Sequence, residues 1–207
     1  MATWRNWFEA QQQASLMSVT ETSLLEAKGW GMQDGGAFYG RNDGAFFLLA
    51  GVSIQVGGGQ REVVSWQQPM LQETGVGVVV LVKVEGEDLY LVQTKAEPGN
   101  DADGCVLLAP TLQASESNLA QAHGGKAPPR ADIIVPRLKT TKVVAMRQDG
   151  GRFHHKVNKH AMIEVPHSVI GVLNSSERLF TRNELRQALR ESACNEHLAQ
   201  VLAIAFV

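Results

Sequence analysis

Apolar positions along the chain change their spacing three times, and each change marks a different kind of element. Over residues 3–16, Trp4, Trp7 and Phe8 fall at i, i+3 and i+4, which predicts a short helix with Thr3 as its cap. Glu21 to Ala27 predicts a further helical turn or two, ended at Lys28-Gly29 by the glycine rule for helix C-termini. From Trp30 the texture becomes glycine-punctuated apolar runs. Ala45 to Val56 predicts a strand in which Val52, Ile54 and Val56 alternate. Gly57-Gly58-Gly59 breaks it, and Arg61 to Trp66 resumes in extended form before Pro69, as in a hairpin. Val76–Val84 and Leu89–Lys95 form the strongest hairpin signal, joined by Glu85-Gly86-Glu87-Asp88. Its first arm is apolar on both faces, so it belongs at the centre of a sheet covered on both sides.

Residues 96–131 lose this regularity. Pro98, Pro110, Pro128 and Pro129 interrupt a polar stretch, with a short helix predicted from Ser115 or Ser117 to Ala122. Long irregular stretches inside a compact domain are usually functional or disordered. Three strands follow, about Lys142–Met146, Arg152–Val157 and Met162–Val165, the first two joined by Gln148-Asp149-Gly150-Gly151. The end is helical: Thr181 and Glu184 have capping-box spacing, and Leu198, Val201, Leu202 and Ala205 mark a last buried helix.

Composition narrows the class. In 207 residues, 44% are hydrophobic and 19% charged, enough for a packed core without a metal or disulfide staple. Twenty glycines fit many turns between short strands and argue against a helical bundle. A net charge of −2 gives no basic field, so no nucleic-acid partner is expected. Cys105 and Cys194 lie far apart with no metal spacing, which points to free thiols in a reducing cytoplasm. The first residues lack the apolar core of a signal peptide, and the longest apolar run, Val76 to Val82, is strand-sized, so no membrane partner is expected.

Three segments have the residue types for chemistry. At a strand end, Gln93-Thr94-Lys95-Ala96-Glu97-Pro98-Gly99-Asn100 sets Lys95 and Glu97 two residues apart on one side, giving a pocket wall or a surface ion pair. Thr111, Gln113, Ser115 and Ser117 alternate with small or apolar residues, presenting hydrogen-bonding groups to a sugar or pyrimidine edge, or merely forming a polar strand edge. In Arg152 to His160, an extended chain puts His154, Lys156 and Asn158 on one face and Phe153, His155 and Val157 on the other; its cations suit a diphosphate, or make a solvated basic strand. No phosphate-binding GxxxxGK[ST], no GxGxxG, no GxSxG and no HExxH is present.

The order of these segments adds to them. Ser65-Trp66-Gln67-Gln68-Pro69 is followed by Gln93 to Asn100, Leu108-Ala109-Pro110-Thr111-Leu112-Gln113-Ala114, Asn118, His123-Gly124-Gly125, Gly150-Gly151-Arg152-Phe153, Asn158 and Met162 to Val165. From about Trp30 to Val165 this resembles the NDP-hexose 2,3-dehydratase family of deoxysugar biosynthesis. The resemblance implies an α+β, Nudix-like mixed sheet with flanking helices, an α/β/α sandwich that has lost the Nudix metal signature; this sequence has no such glutamate-rich pattern. The expected layout is one module over 1–207, with an N-terminal helix and hairpin region over 1–70 and a Nudix-like core over 71–207.

The resemblance further implies loss of water across C2 and C3 of a dTDP-linked 4-keto-6-deoxyhexose, giving a 3,4-diketo-2,6-dideoxy sugar, with no cofactor and no metal. A non-catalytic sugar-nucleotide-binding module is the alternative. A base must take the C3 proton, and donors must face the charge that develops on O4. Glu97 and the histidines, His155 foremost, are the base candidates, and Lys95 the enolate stabiliser. Gln93, Asn100, Thr111, Gln113, Asn118, His123, Gly124, Arg152, Lys156 and Asn158 are expected to hold substrate, with Trp66 either stacking on the nucleotide base or lying in the core. Such proteins typically carry two modules in tandem and often Ser-Glu near Arg147-Gln148. Here one module is present without that carboxylate, and a homodimer is expected, paired through apolar ends at Trp4, Trp7 and Phe8 and at Leu198 to Val207.

Overall fold

In the computed structural model of the chain, residues 3–206 are described, apart from Gln60, Thr74 and His123. Helix α1 (Trp4–Ala14) starts as its sequence predicts, with the Thr3 hydroxyl accepting from the Asn6 N–H at 3.3 Å. Its far end lies against Gly104, and the Ser15 hydroxyl donates to the Gly104 carbonyl at 2.8 Å. Gly104 has φ 60°, and a Cβ there would sit 2.5 Å from the Gln12 carbonyl oxygen, so this approach needs glycine. Glu21 to Ala27 forms only a 3-10 turn at Leu24–Glu26.

Strands β1 (Trp30–Gln33), β2 (Phe38–Arg41), β3 (Leu48–Gln55) and β4 (Ser65–Gln72) form an antiparallel sheet in that order. β4 runs through Pro69 rather than stopping before it; an edge strand tolerates the missing N–H.

The second sheet contains β5 (Gly77–Val84), β6 (Leu89–Ala96), β7 (Val106–Pro110), β8 (Leu112–Ala114), β9 (Val144–Arg147), β10 (Val157–Val165) and β11 (Glu177–Thr181). Its path is β11-β6-β5-β10-β9, with β10 parallel to β5 and the other pairs antiparallel. The β5–β6 hairpin pairs only at Val82↔Leu91 and Lys83↔Tyr90, then opens. β7 pairs with the freed length of β6 and β8 with that of β5. Thr111 stands where these two short strands meet. It is buried, and its hydroxyl accepts from the Val82 N–H at 2.9 Å and donates to the Leu91 carbonyl. The Val82 N–H and the Leu91 carbonyl, at the point of the fork, are thus both satisfied by one side chain. Thr111→Val is expected to cost about 1–3 kcal/mol, since it strands two buried backbone groups, with Thr111→Ser recovering most of it; urea unfolding midpoints decide.

Both faces of this sheet are covered, as the two-sided apolar pattern of β5 requires. On one face Val79, Leu81, Val92 and Leu108 pack against α1, α5 (Arg182–Arg190) and α6 (Glu196–Ala205). On the other, Val80, Val82, Ala161 and Ile163 pack with Ile134 of α3 (Ala131–Arg137) and Ile170 of α4 (His167–Ile170). A short α2 (Glu116–Leu119) follows β8, and α5 carries the expected capping box between Thr181 and Glu184. Trp4, Phe8, Leu198, Val201 and Leu202, expected as an apolar pairing surface, are core residues instead, because α1 and α6 fold back onto the sheet.

Residues 152–156, expected as strand, form the turn before β10. Leu71 and Phe153 bridge there, joining the end of β4 to the larger sheet. Arg130, at φ 61° ahead of α3, donates through Nε and Nη2 to the two Glu177 oxygens at 2.8 and 2.6 Å. Cys105 and Cys194 are free, and burial pushes the Cys194 thiol up to about 12, where it stays protonated and unreactive. Among the described residues no helix is long and apolar enough to cross a membrane.

Candidate active site

The topology gathers several strand ends at one edge of the larger sheet. β5 and β10 are parallel and begin there, whereas β6 and β8 run against β5 and finish there. A cavity of about 230 Å³ opens at this edge. Gly77, Ala114, Lys156 and Asn158 form its base, Lys95, Glu97, Gln113 and Asn118 one wall, and His197 of α6 borders it. Phe46 and Phe47, from the turn between β2 and β3, close it from the smaller sheet.

Lys95 and Glu97 do share a side. Lys95 Nζ lies 2.9 Å from Glu97 Oε1, and each side chain remains about a third exposed, at 32% and 29%. Glu97 Oε1 also accepts from Gln113 Nε2 at 3.0 Å, and Oε2 from Asn195 Nδ2 at 3.3 Å. Asn195 Nδ2 donates to Gln113 Oε1 at 2.8 Å, while Asn195 Oδ1 caps α6 by accepting from the Leu198 N–H at 2.9 Å. A carboxylate ringed by three donors is fixed in place and holds the ammonium beside it.

Opposite this wall, the buried Lys156 pairs with Glu73 at 2.7 Å and donates to the Gly75 carbonyl at 2.8 Å. Its charge is therefore balanced by a carboxylate of the fold. Asn158 is buried, with Oδ1 accepting from the Gly77 N–H at 3.2 Å. A Cβ on Gly77 would come within 2.6 Å of that oxygen and 3.2 Å of the Ala114 carbonyl. Gly77→Ala is thus expected to displace Asn158 and raise KM for whatever ligand the cavity takes while the melting temperature falls by a few degrees; parallel calorimetry and kinetics test it.

One histidine lines the cavity and another lies behind it. His160 is fully buried, its ring nitrogens 3.2 Å from the Asn158 carbonyl and 3.0 Å from Gln200 Oε1. Burial lowers its pKa, and hydrogen bonds to Gln200 and Asn158 offset part of that. His197 is shifted the same way, again chiefly by burial. Phe46 adopts φ 72°, a strained value for an aromatic residue, with the Arg41 guanidinium 4.9 Å from its ring centre. Phe47 packs 4.9 Å from Trp30. A second cleft of about 250 Å³ adjoins the first, sharing Lys95, Gln113 and Asn118 and adding Gln93, Lys126 and Pro128-Pro129.

Of the residues that the sequence singles out, Lys95, Glu97, Gln113, Ser115, Asn118, Lys156 and Asn158 meet in the cavity, and Gln93 borders the adjoining cleft. The others lie elsewhere. The Thr111 hydroxyl is occupied by the sheet. Asn100 Nδ2 donates to the Cys105 carbonyl at 2.8 Å, closing its own loop. Trp66 sits on the outer sheet with its indole N–H on Gln68 at 2.7 Å. Gly124 occupies a turn at φ 70°. Arg152 is solvent-exposed near Asp149. His155, exposed at φ 59°, borders a separate groove with Arg147 and His154, because the turn before β10 carries it away from the cavity. His123 lies outside the described residues.

Sequence reasoning missed Glu73, Phe46, Phe47, Asn195 and His197. Only Asn195 left a signal, as a cap residue three positions before Leu198.

A family model described as NDP-hexose 2,3-dehydratase matches residues 1–204. The chain is similar to a Saccharopolyspora spinosa protein named dTDP-4-dehydro-6-deoxy-alpha-D-glucopyranose 2,3-dehydratase, 35% identical over 131 residues, 61% of this chain and 26% of that protein. Proteins of the same name from Streptomyces violaceoruber and Amycolatopsis orientalis are 32% identical over 164 residues and 30% over 152. These matches cover 77% and 72% of this chain, and 35% and 31% of the relatives. The chain spans about a quarter to a third of the length of these curated relatives.

Proposed function

The chain belongs to the NDP-hexose 2,3-dehydratase family, and from that premise we propose that it takes a dTDP-linked 4-keto-6-deoxyhexose and removes water across C2 and C3. The product is the 3,4-diketo-2,6-dideoxy sugar nucleotide. The observation that carries this reading is the convergence of Lys95, Glu97, Gln113, Asn118 and Asn158 on one cavity at the strand ends. In the same reading the larger sheet, with helices on both faces, is the Nudix-like core.

The chemistry assigns the parts. The C4 ketone acidifies the C3 proton, and removing it builds charge on O4. Lys95, held by Glu97, is the donor for that charge, and a preorganised ammonium in a partly dry site is worth far more than one in water. Gln113, Asn118 and Asn158 offer amides to the sugar hydroxyls. Phe46 and Phe47 take over from Trp66 as the flat apolar surface, and an apolar wall suits a C6 methyl group. The adjoining cleft with Lys126 receives the diphosphate. Homodimerisation stays in the reading on a different surface, the exposed Leu16, Val19, Leu24 and Leu25; light scattering showing a monomer at micromolar concentration would remove it.

The direct test is incubation with freshly prepared dTDP-4-keto-6-deoxyglucose, followed by mass spectrometry with trapping of the unstable diketone. Loss of one water supports the reading. Tight binding without turnover would instead indicate a binding module, and release of a nucleoside monophosphate a hydrolase.

A further inference from the structure

The proposed dehydration needs a base for C3, and the cavity restricts the choice. Its titratable lining among the described residues is Glu73, Lys95, Glu97, Lys156 and His197. Lys156 and Glu73 are paired with each other, and Lys95 with Glu97. Both Glu97 oxygens already accept hydrogen bonds, so its lone pairs point at Lys95, Gln113 and Asn195. His197 alone in this set has no charge partner. Its Nδ1 is buried with no hydrogen-bond partner, and such a group calls for an explanation.

We propose that His197 is the catalytic base that takes the C3 proton of the sugar, a role resting on the dehydratase reading. Helix α6 presents it in its first turn, two residues after the N-cap Asn195 that fixes Glu97, so base and Lys95 are set by the same helix end. Burial is the main influence on the ring and lowers its pKa; Glu196, Gln200 and Glu97 raise it, and His160 lowers it further. A net lowering keeps the ring neutral at pH 7, with a lone pair for the proton.

The step balances without a co-reactant. The imidazole takes the proton, the C3–H electron pair forms C3=C4, and the carbonyl π pair moves to O4 facing Lys95. The enolate then reforms the ketone, the electron pair shifts to C2=C3, and the C2 hydroxyl departs as water with the proton returned from the imidazolium. The remaining C3 enol gains a proton at C2 and loses one from O3.

The test uses the full chain with dTDP-4-keto-6-deoxyglucose. His197→Gln is expected to lower turnover at least about a hundredfold while sugar-nucleotide affinity stays within a few-fold. His197→Ala, if the ring's role is chemical, regains turnover with added imidazole, a rescue that a packing role would not give. Near-normal turnover in His197→Gln, a loss that comes wholly from weaker binding, or a binding-competent His197→Ala that imidazole does not rescue overturns the proposal. Should the wild type release no water, the dehydratase reading fails. The base is then read from C3 hydrogen exchange in deuterated water. Exchange in the wild type and none in His197→Gln supports His197, whereas the same result in both proteins overturns it.

Discussion

Lys95→Met is expected to lower turnover at least about a hundredfold. Methionine keeps the length and apolar stem of lysine but removes the ammonium that faces O4 in the proposed reaction. The ground-state ketone carries little charge, so the loss falls on the transition state, in kcat more than in KM. Affinity for the bare nucleotide should change much less, because Lys126 also borders the cleft assigned to the diphosphate. Glu97→Gln should cost a similar factor by another route. It removes the charge partner of Lys95 and turns an amide donor toward either Gln113 or Asn195, each of which itself donates to the carboxylate. Single-turnover kinetics beside nucleotide titrations separate the two terms. Near-normal turnover in both variants would move the chemistry away from this wall, toward the groove at His154 and His155.

Arg130→Met is expected to destabilise the chain by about 3–5 kcal/mol. The Arg130 and Glu177 side chains are 13% and 2% exposed and meet through two hydrogen bonds, with the Asn174 N–H adding a third to Glu177 at 2.9 Å. Removing only the arginine leaves a buried carboxylate without its counter-charge. Replacing both with apolar residues, as in Arg130→Met with Glu177→Leu, should recover much of the loss. Acid gives a second signature. Burial is the largest influence on Glu177 and raises its pKa, but the Arg130 and Asn174 hydrogen bonds and the Arg130 charge together outweigh it, so the net shift is downward. A lowered carboxyl pKa contributes stability that is complete above the ordinary glutamate value of about 4.3 and is lost as pH falls through the folded value. In Arg130→Met that contribution is gone and protonation relieves the stranded charge. The stability gap between variant and wild type should therefore narrow below about pH 4.3. A gap constant across denaturant titrations at pH 7 and pH 3 would contradict this.

Local signals carried far along this chain. Thr3 and Thr181 cap the helices they were expected to cap, since a cap depends on three or four adjacent residues. The β5–β6 hairpin and its central place follow from an apolar run that no solvent-facing strand would have. Lys95 and Glu97 share a wall because residues two apart on an extended chain share a face. The failures have one physical source, pairing between distant segments. Residues 106–114 read as loop because Pro110 interrupts them, yet they fill the opened hairpin, and that pairing turns the Thr111 side chain inward. Residues 152–156 have strand composition, but the turn at Asp149 occupies them and carries His155 off the site. His197 sits in a helix whose sequence advertises only its apolar face, and nothing local indicates that the helix end meets Glu97.

The opened hairpin also sets an order in time. Val82 and Leu91 meet across a tight turn, a closure of low entropic cost. Thr111 enters the fork from 20 residues beyond Leu91, whereas Asn158 and Gly77 lie 81 residues apart and Asn195 reaches Glu97 across 98. Contacts of such separation are slow to form. The sheet is therefore expected to grow outward from its splitting point, with its chemistry completed last, when α6 caps itself with the asparagine that fixes Glu97. A chain stopped short of that helix would lose the clamp on the carboxylate and the imidazole together with Leu198, Val201 and Leu202, which cover one face of the sheet.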